Sequence, residues 1–403
     1  MSRIVIVGGG QAGIQIAESV RRGGYEDEIV LIGEESTLPY QRPPLSKKFL
    51  LGEMAAERLL FRPAEHYTKL NIETRLGVTV TALDRHARQL TLSDGETLAY
   101  TRLALTTGTR VRPLPVAGAG DPRVCYLRHL RDAETIRARL AEAARVVVIG
   151  GGFIGLEVAA VARTLGREVI VIEAQDRLMP RVVAPIVSAY YLQLHQAHGV
   201  QFRLNQQVAR LEPTSDTLQV IAADGEMHAA ELVVVGIGVV PNIEFAAAAG
   251  LECAGGIVVD EFARTHDPNI VAAGDCTFHR NTLFSKPHRL ESVQNAVDQA
   301  KVAAGTLLDK PVAYSQLPWF WSDQYDVSLQ MAGLSTGYDQ VIVRGEIDSG
   351  KFSVFYFAGE RALAADSINR PADHMAARRL LPIAGKLSPS QAADTTIDLK
   401  SLL

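Results

Sequence analysis

The sequence predicts an α/β fold with two Rossmann-like dinucleotide-binding domains, followed by a C-terminal α+β domain. Two observations support this prediction: a glycine-rich strand–turn–helix pattern occurs twice, and the pattern of elements changes near residue 317. The copies run from Arg3 to Glu34 and from Arg145 to Glu173, each with two apolar strands, a glycine turn and a final acid. One such match is weak evidence, but two predict a protein that holds two dinucleotides.

The glycines of the second copy have separate mechanical roles. Gly150 permits a tight turn, Gly152 lets a pyrophosphate approach the backbone at the helix N-terminus, and Gly155 lets the helix pack closely on the strand. Glu173 follows the second strand, where a carboxylate can bind both ribose hydroxyls of an adenosine. The corresponding residues of the first copy are Gly8, Gly10, Gly13 and Glu34.

Composition excludes several classes of protein. The 403 residues are 47% hydrophobic and 21% charged, which is ordinary for two or three globular domains. A net charge of −4 gives no bulk signal for nucleic acid or a membrane surface. No apolar run approaches the ~20 residues of a membrane span and the first strand begins at Arg3, so we expect a cytoplasmic protein without a signal peptide.

The sequence has three cysteines, Cys125, Cys253 and Cys276, which form no C-x-x-C motif and no closely spaced pair. They therefore predict neither a redox disulfide nor a metal site, and structural burial is the better interpretation of each.

The segment Tyr40–Leu50 (YQRPPLSKKFL) follows the first copy. Its paired prolines exclude a helix through them, and Ser46 is typical of the N-cap of a helix that begins at Lys47. A rigid loop that carries Arg42 and Lys47 would suit a phosphate or flavin contact, and a solvated basic turn is the alternative.

The rest of the chain indicates an internal duplication. After each glycine motif come short strands typical of an antiparallel meander, and then a buried strand, at Arg102–Thr109 in the first copy and within Glu231–Asn242 in the second. From Ile243 the chain returns to the first domain. There Gly274 and Asp275 lie at a strand end that faces a helix start, where open α/β sheets bind ligands.

The region after Leu317 is rich in short strands and opens with PWFWSDQY, which contains both tryptophans. In an extended strand Trp319 and Trp321 share one face and Phe320 takes the other. Two interpretations stay open: an aromatic core anchor, or an aromatic lid over an isoalloxazine ring.

The motifs GGGQAG, PPLSK, LTTG, GGGFIGLE, VVVGIGVVPN, AAGD and PWFWSDQ, in this order, resemble a known family. It is that of the FAD-dependent pyridine-nucleotide reductases that reduce 2Fe-2S ferredoxins, particularly putidaredoxin-reductase-like enzymes and the reductases of aromatic-ring dioxygenases. The resemblance implies a glutathione-reductase-like fold: an FAD domain at 1–111 and 241–316, an NAD domain at 112–240, and a C-terminal domain at 317–403.

The resemblance also implies that NADH passes electrons through FAD, one at a time, to a ferredoxin that serves a haem monooxygenase or a ring-hydroxylating dioxygenase. Lys47, Glu157 and Trp321 would act beside the flavin, with Lys47 paired to Glu157. Metal, nucleic acid and membrane are not expected as ligands or partners. One departure is Gln294, which stands where close relatives often have proline.

The resemblance assigns three further sets of residues. The implied FAD contacts are Gly8, Gly10, Ala12, Gly13, Glu34, Arg42, Lys47, Thr107, Gly108, Asp275, Val293 and Trp321. The implied NAD contacts are Gly150, Gly152, Phe153, Ile154, Gly155, Glu173 and Gly238. The implied ferredoxin-docking residues are Arg62, Arg289, Arg378, Arg379 and Lys400.

Two alternatives share both glycine motifs. A flavin peroxidase, NADH oxidase or disulfide reductase needs a cysteine near the flavin, typically within Tyr40–Phe49, and none is present there. A redox-sensing interaction protein that resembles apoptosis-inducing factor is the other alternative, and turnover with a ferredoxin would separate it from a reductase.

Overall fold

A computed structural model of the chain describes residues 2–284 and 286–403, and it divides into two compact units. The first unit comprises the chain up to Gln41, Glu57–Arg110 and Val240–Pro318. The second unit comprises Arg42–Ala56, Val111–Val239 and Trp319–Leu403. The finer division into three domains stays a prediction.

The strands in the first third of the chain are β1 (Arg3–Val7), β2 (Glu28–Gly33), β3 (Ile72–Leu76), β4 (Val80–Asp84), β5 (Gln89–Leu92), β6 (Thr97–Ala99), β7 (Arg102–Leu105), β8 (Thr109–Val111) and β9 (Val124–Tyr126). The middle strands are β10 (Arg145–Ile149), β11 (Glu168–Ile172), β12 (Gln201–Arg203), β13 (Val208–Pro213), β14 (Leu218–Ala222), β15 (Met227–Ala230), β16 (Leu232–Val235) and β17 (Val239–Pro241). The last strands are β18 (Ile257–Val259), β19 (Ile270–Ala272), β20 (Thr277–His279), β21 (Trp319–Gln324), β22 (Val327–Gly333), β23 (Gln340–Glu346), β24 (Lys351–Ala358) and β25 (Arg361–Ile368).

The α-helices are α1 (Gln11–Arg22), α2 (Ala64–Lys69), α3 (Leu130–Glu142), α4 (Phe153–Thr164), α5 (Pro185–Ala197), α6 (Glu244–Ala248), α7 (Val293–Leu307), α8 (Pro371–Leu380) and α9 (Pro389–Ala393). Short 3-10 helices lie at Pro43–Ser46, Ala56–Leu59, Ile347–Ser349 and Leu399–Leu402.

The first unit is built on a parallel sheet with the strand order β3-β2-β1-β7-β19. Strands β1 and β2 are nearly continuous runs of Val, Ile and Leu because both faces of a parallel sheet are buried at its centre. From β1 the chain continues to β2 on one side, while β7 pairs on the other side. A crevice therefore opens at the carboxyl end of β1, where the first glycine turn lies.

The second unit repeats this arrangement. Its parallel sheet has the order β12-β11-β10-β16-β9, with the second glycine turn at the end of β10. Three-stranded antiparallel meanders, β4-β5-β6 and β13-β14-β15, occupy the same place in the two copies. The internal duplication and the two Rossmann-like folds predicted from the sequence are therefore present.

The second unit also contains an antiparallel sheet with the order β21-β22-β25-β24-β23. Buried residues of this sheet, such as Leu329 and Phe352, share one apolar cluster with Val187 and Tyr191 of α5. The predicted α+β character of the C-terminal region is thereby confirmed, and β21 is placed beside α4.

The prediction of a helix that begins at Lys47 is wrong. The residues before it form a 3-10 helix, Pro43–Ser46, in which the prolines fill the first turn, where a missing backbone N–H costs nothing. Lys47 itself has non-helical backbone angles of φ −130° and ψ −114°. The Ser46 hydroxyl does not cap a helix, because it donates to the carboxylate of Glu157 instead.

Asp366 is a buried acid on β25, with 2% of its surface exposed. The Tyr356 hydroxyl donates to Asp366 Oδ2 and accepts from the backbone N–H of Ala184 at 3.1 Å. Burial raises the pKa of Asp366 to about 7, although the hydrogen bond from Tyr356 opposes this. The folded state therefore favours the protonated acid.

We expect the stability of the wild type, measured against Asp366→Asn, to fall as the pH rises. The pKa of Asp366 is higher in the folded state than in the unfolded chain. Protonated Asp366 therefore stabilises the fold fully below about pH 4, and this stabilisation is lost as the pH rises through about 7. Each pKa unit corresponds to about 1.4 kcal/mol of unfolding free energy, so urea unfolding at pH 4.5 and pH 8 should resolve the loss of stability. A difference between the two proteins that stays constant with pH would contradict this account.

Candidate functional site

The first glycine turn forms an open cradle at the start of α1. Gly8 has φ +119°, and a Cβ placed on it would lie 2.1 Å from the Thr106 carbonyl oxygen. A Cβ on Gly13 would lie 1.9 Å from the Gly8 oxygen, whereas a Cβ on Gly10 would meet nothing within 4 Å. The outer glycines are needed for close packing, and the middle one faces open space. This space and the uncapped N-terminus of α1 fit a pyrophosphate.

The other first-unit residues proposed to bind the same dinucleotide lie on connecting segments. Glu34 is exposed directly after β2, and Asp275 is partly exposed after the turn that follows β19. Thr107 Oγ1 donates to the Asn242 oxygen at 2.6 Å, and Asn242 Nδ2 returns a 3.0 Å bond to the Thr107 oxygen. These paired bonds fix the turn at Gly108, which has φ +60°.

Helix α7 begins with Val293, after Ser292 caps it by accepting from the Asn295 N–H at 3.0 Å. Gln294, the departure noted in the sequence, is 4% exposed and donates to Asp298 Oδ2 at 2.9 Å. Its amide therefore braces the first turn of the helix.

The second glycine turn has the same geometry. A Cβ on Gly150 would lie 2.5 Å from the Gly236 oxygen and one on Gly155 would lie 2.2 Å from the Gly150 oxygen, whereas Gly152 faces open space. Helix α4 begins directly afterwards with half-buried Phe153 and with Ile154, which is 42% exposed. The uncapped start of α4 fits a second pyrophosphate.

Glu173 is held in a fixed orientation at this second turn. Its Oε2 accepts from the Gly151 N–H at 2.7 Å, and its Oε1 accepts from the Gln175 N–H at 2.8 Å. Arg177, the nearby cation in the sequence, donates to the carbonyl oxygens of Val183 at 2.8 Å and Pro180 at 2.7 Å. The carboxylate is fixed, and Arg177 is engaged elsewhere. Gly238, the remaining residue proposed for this site, has φ +103°.

Lys47 and Glu157 form an ion pair in the second unit. Lys47 Nζ lies 2.7 Å from Glu157 Oε2, and the two side chains are 18% and 4% exposed. Ser46 donates to the same oxygen, and Ser322 Oγ donates to Oε1 at 2.6 Å. Sequence reasoning assigned Ser46 to a helix cap and gave Ser322 no role, although the alternation of β21 already puts Ser322 on the face opposite Trp321.

The tryptophans of β21 lie on one face, as predicted, with ring centroids 5.6 Å apart. Phe320 points the other way and packs 4.7 Å from the ring of Phe153. Both tryptophans are partly exposed, so neither is a buried core anchor. Of the two interpretations of this motif, partial exposure argues against the core anchor, and the aromatic lid over an isoalloxazine ring stays a prediction. Arg42 of this unit donates to the Arg128 oxygen at 2.7 Å.

The five proposed docking residues have different surroundings. Arg62 pairs with the buried carboxylate of Glu18 at 2.7 Å, and Arg289 pairs with Glu291. The Arg378 guanidinium lies 4.7 Å above the ring of Trp319. Arg379 and Lys400 are exposed. The two ion pairs reduce the charge that Arg62 and Arg289 can offer to an acidic partner.

The three cysteines are free thiols, and burial raises the pKa of each. A high thiol pKa makes a poor nucleophile. Residues 2–284 and 286–403 contain no group of three or more His, Cys, Asp or Glu side chains placed to hold a metal ion. In the same residues, no helix is long and apolar enough to cross a membrane.

Two open cradles, each followed by an acid, define a protein that binds two dinucleotides. The chain belongs to the pyridine nucleotide-disulphide oxidoreductase family, whose model matches residues 2–300, and a reductase C-terminal model matches residues 319–403. Within that family it belongs with the FAD-dependent ferredoxin reductases, as the relatives below show. Membership confirms the predicted class of enzyme and its cofactors, FAD and NADH.

Rhodocoxin reductase of Rhodococcus erythropolis is 47% identical, with 98% of this chain and 93% of that protein covered. Putidaredoxin reductase CamA of Pseudomonas putida is 43% identical, with coverage of 99% and 96%. The ferredoxin reductase for the CYP199A2 system of Rhodopseudomonas palustris has a TM-score of 0.97 at 42% identity, with 100% of this chain and 99% of that chain covered.

Proposed function

We propose that this protein passes electrons from NADH through FAD, one at a time, to a 2Fe-2S ferredoxin that serves a haem monooxygenase or a ring-hydroxylating dioxygenase. The observation that carries this proposal is the presence of two open cradles in a chain that aligns end to end with ferredoxin reductases. A solved relative is a covalent complex of putidaredoxin reductase with putidaredoxin, with a TM-score of 0.96, 43% identity and coverage of 100% and 98%.

The first cradle with Glu34, Thr107 and Asp275 would hold FAD, and the second with Glu173 would hold NADH. FAD, when bound, accepts the two electrons of a hydride together and releases them singly. The chain's own contribution is binding, orientation and local charge: Lys47 places an ammonium group, Glu157 fixes it, and Trp321 supplies a partly exposed ring.

We also propose that the protein acts in the cytoplasm. Its three cysteines are all unpaired thiols, which is typical of a reducing compartment.

The ferredoxin surface remains a proposal, and Arg379 and Lys400 are its best-supported members because both are exposed. Ferredoxins are acidic, so docking on these cations would steer the partner electrostatically. Arg378 would contribute through its contact with Trp319.

We expect Arg379→Glu to raise the apparent KM for ferredoxin several-fold and to leave NADH-to-ferricyanide turnover unchanged. Added salt should slow ferredoxin reduction by the wild type, because the screening length falls from ~10 Å at 0.1 M to ~3 Å at 1 M. Arg361→Glu, which reverses another exposed arginine of the same unit, is the matched control. If neither added salt nor Arg379→Glu changed the rate of ferredoxin reduction, the docking surface would have to lie elsewhere.

A further inference from the structure

Strand β21 presents a polar face that the proposed function does not yet use. Its alternation sends Phe320, Ser322 and Gln324 to the side opposite the tryptophans, and this face meets α4 and α5. Ser322 and Gln324 are 0% and 1% exposed. Buried polar groups are costly unless each finds a partner, so this face must be satisfied from within the unit.

These groups form a continuous chain of hydrogen bonds that ends on the carboxylate of Glu157. Ser322 Oγ lies 2.6 Å from Glu157 Oε1, and Gln324 Nε2 lies 3.1 Å from Ser322 Oγ. Gln324 Oε1 lies 2.7 Å from Nε2 of His195, which is fully buried. Tyr325 OH lies 3.3 Å from His195 Nδ1.

The carboxylate sets the direction of the bonds from Ser322 as far as Nε2 of His195. Glu157, paired with Lys47, can only accept, so the one hydroxyl proton of Ser322 is used on it. Ser322 Oγ must then accept from the Gln324 amide nitrogen, which turns the amide oxygen towards His195. His195 therefore carries a proton on Nε2 and donates it to the Gln324 oxygen.

Burial lowers the pKa of His195 to about 4, so the ring is neutral at pH 7 and its Nδ1 accepts from the Tyr325 hydroxyl. These hydrogen bonds do not form a proton-transfer path, because the Gln324 amide cannot give up a proton without losing its own hydrogen bond to Ser322. Their effect is orientation: the donors all point towards Glu157 and hold its carboxylate in one position. Lys47 is bound to the other oxygen of that carboxylate.

We propose that Ser322, Gln324 and His195 are positioning residues that fix Glu157 and, through it, the Lys47 ammonium group. This inference rests on the proposed function, in which Lys47 places an ammonium group for the flavin site and Glu157 fixes it. It assigns a role to Ser322 and Gln324 of the PWFWSDQ motif, which neither the aromatic residues nor the cofactor contacts explain.

Ser322→Ala removes the donor to Glu157 Oε1 with little change in volume. We expect flavin reduction by NADH, followed by anaerobic stopped flow, to slow about tenfold, because a bond to a charged group is lost. A loosened pair should also let acetic anhydride modify the Lys47 amine several-fold faster, as measured by peptide mass spectrometry. Gln324→Glu, which replaces the donor amide with an acceptor of the same shape, should have both effects and should be the stronger change.

Ser353→Ala is the matched control, because Ser353 is a fully buried serine of the same sheet whose Oγ donates to Asp373 at 2.9 Å. It should lower the melting temperature about as much as Ser322→Ala and change neither Lys47 modification nor flavin reduction. Equal Lys47 modification in all variants would overturn the proposal, and so would faster modification without slower flavin reduction. If NADH did not reduce the flavin bound to the wild type, the proposed function would be overturned instead. The rate of Lys47 modification would still test the positioning role.

Discussion

Lys47→Ala should slow the reduction of bound flavin by NADH about a hundredfold. Removing one partner of a fully buried ion pair costs about 3–5 kcal/mol, and the 18% exposure of Lys47 reduces this to roughly 2–3 kcal/mol. The carboxylate of Glu157 would remain 4% exposed with no ammonium beside it. Stopped-flow spectroscopy under anaerobic conditions measures the rate directly.

Lys48→Ala is the control for this prediction, because Lys48 is the adjacent lysine and is exposed. It should keep the wild-type rate and the wild-type flavin content. If Lys47→Ala reduced its flavin as fast as Lys48→Ala and retained as much FAD, the Lys47–Glu157 pair would have no part in the hydride step.

Glu173→Ala should abolish most of the discrimination between NADH and NADPH. A phosphate about 4 Å from the carboxylate would be repelled by roughly 4 kcal/mol at an effective dielectric constant of 20. The bonds from the Gly151 and Gln175 N–H groups prevent the carboxylate from turning away. Arg177 is held by backbone oxygens and cannot easily compensate. We expect kcat/KM to favour NADH at least about a hundredfold in the wild type and less than tenfold in the variant.

Asp176→Ala provides the comparison, since Asp176 is an exposed acid three residues away. It should leave the NADH/NADPH ratio of kcat/KM at the wild-type value. The assignment of Glu173 to the NADH ribose would be lost if the two variants gave the same ratio.

The sequence predicted the parts of the site that depend on local geometry. The glycine turns and the acids that follow them are short-range patterns, because the turn, the approach of a phosphate and the packing of the helix are decided within about thirty residues. The alternation of Trp319, Phe320 and Trp321 is equally local and was also correct.

The failures came from partners that are distant in the chain. Ser46 was expected to cap a helix, but its hydroxyl is bound by Glu157, which lies 111 residues away. The docking role of Arg62 stays a prediction, but the sequence did not reveal that Glu18 on α1 is bound to it at 2.7 Å. No role was predicted for Ser322, which completes the Glu157 site. Only the tertiary fold brings such pairs together, so a linear pattern could not reveal them.

The most direct test of the central claim is an anaerobic titration of a ferredoxin from such an oxygenase system with NADH and a catalytic amount of this protein. NADH carries two electrons and a 2Fe-2S ferredoxin takes one, so two ferredoxins should be reduced for each NADH consumed. Ferredoxin that stays oxidised, while the same protein consumes NADH in air and forms peroxide or water, would contradict the account and indicate an oxidase.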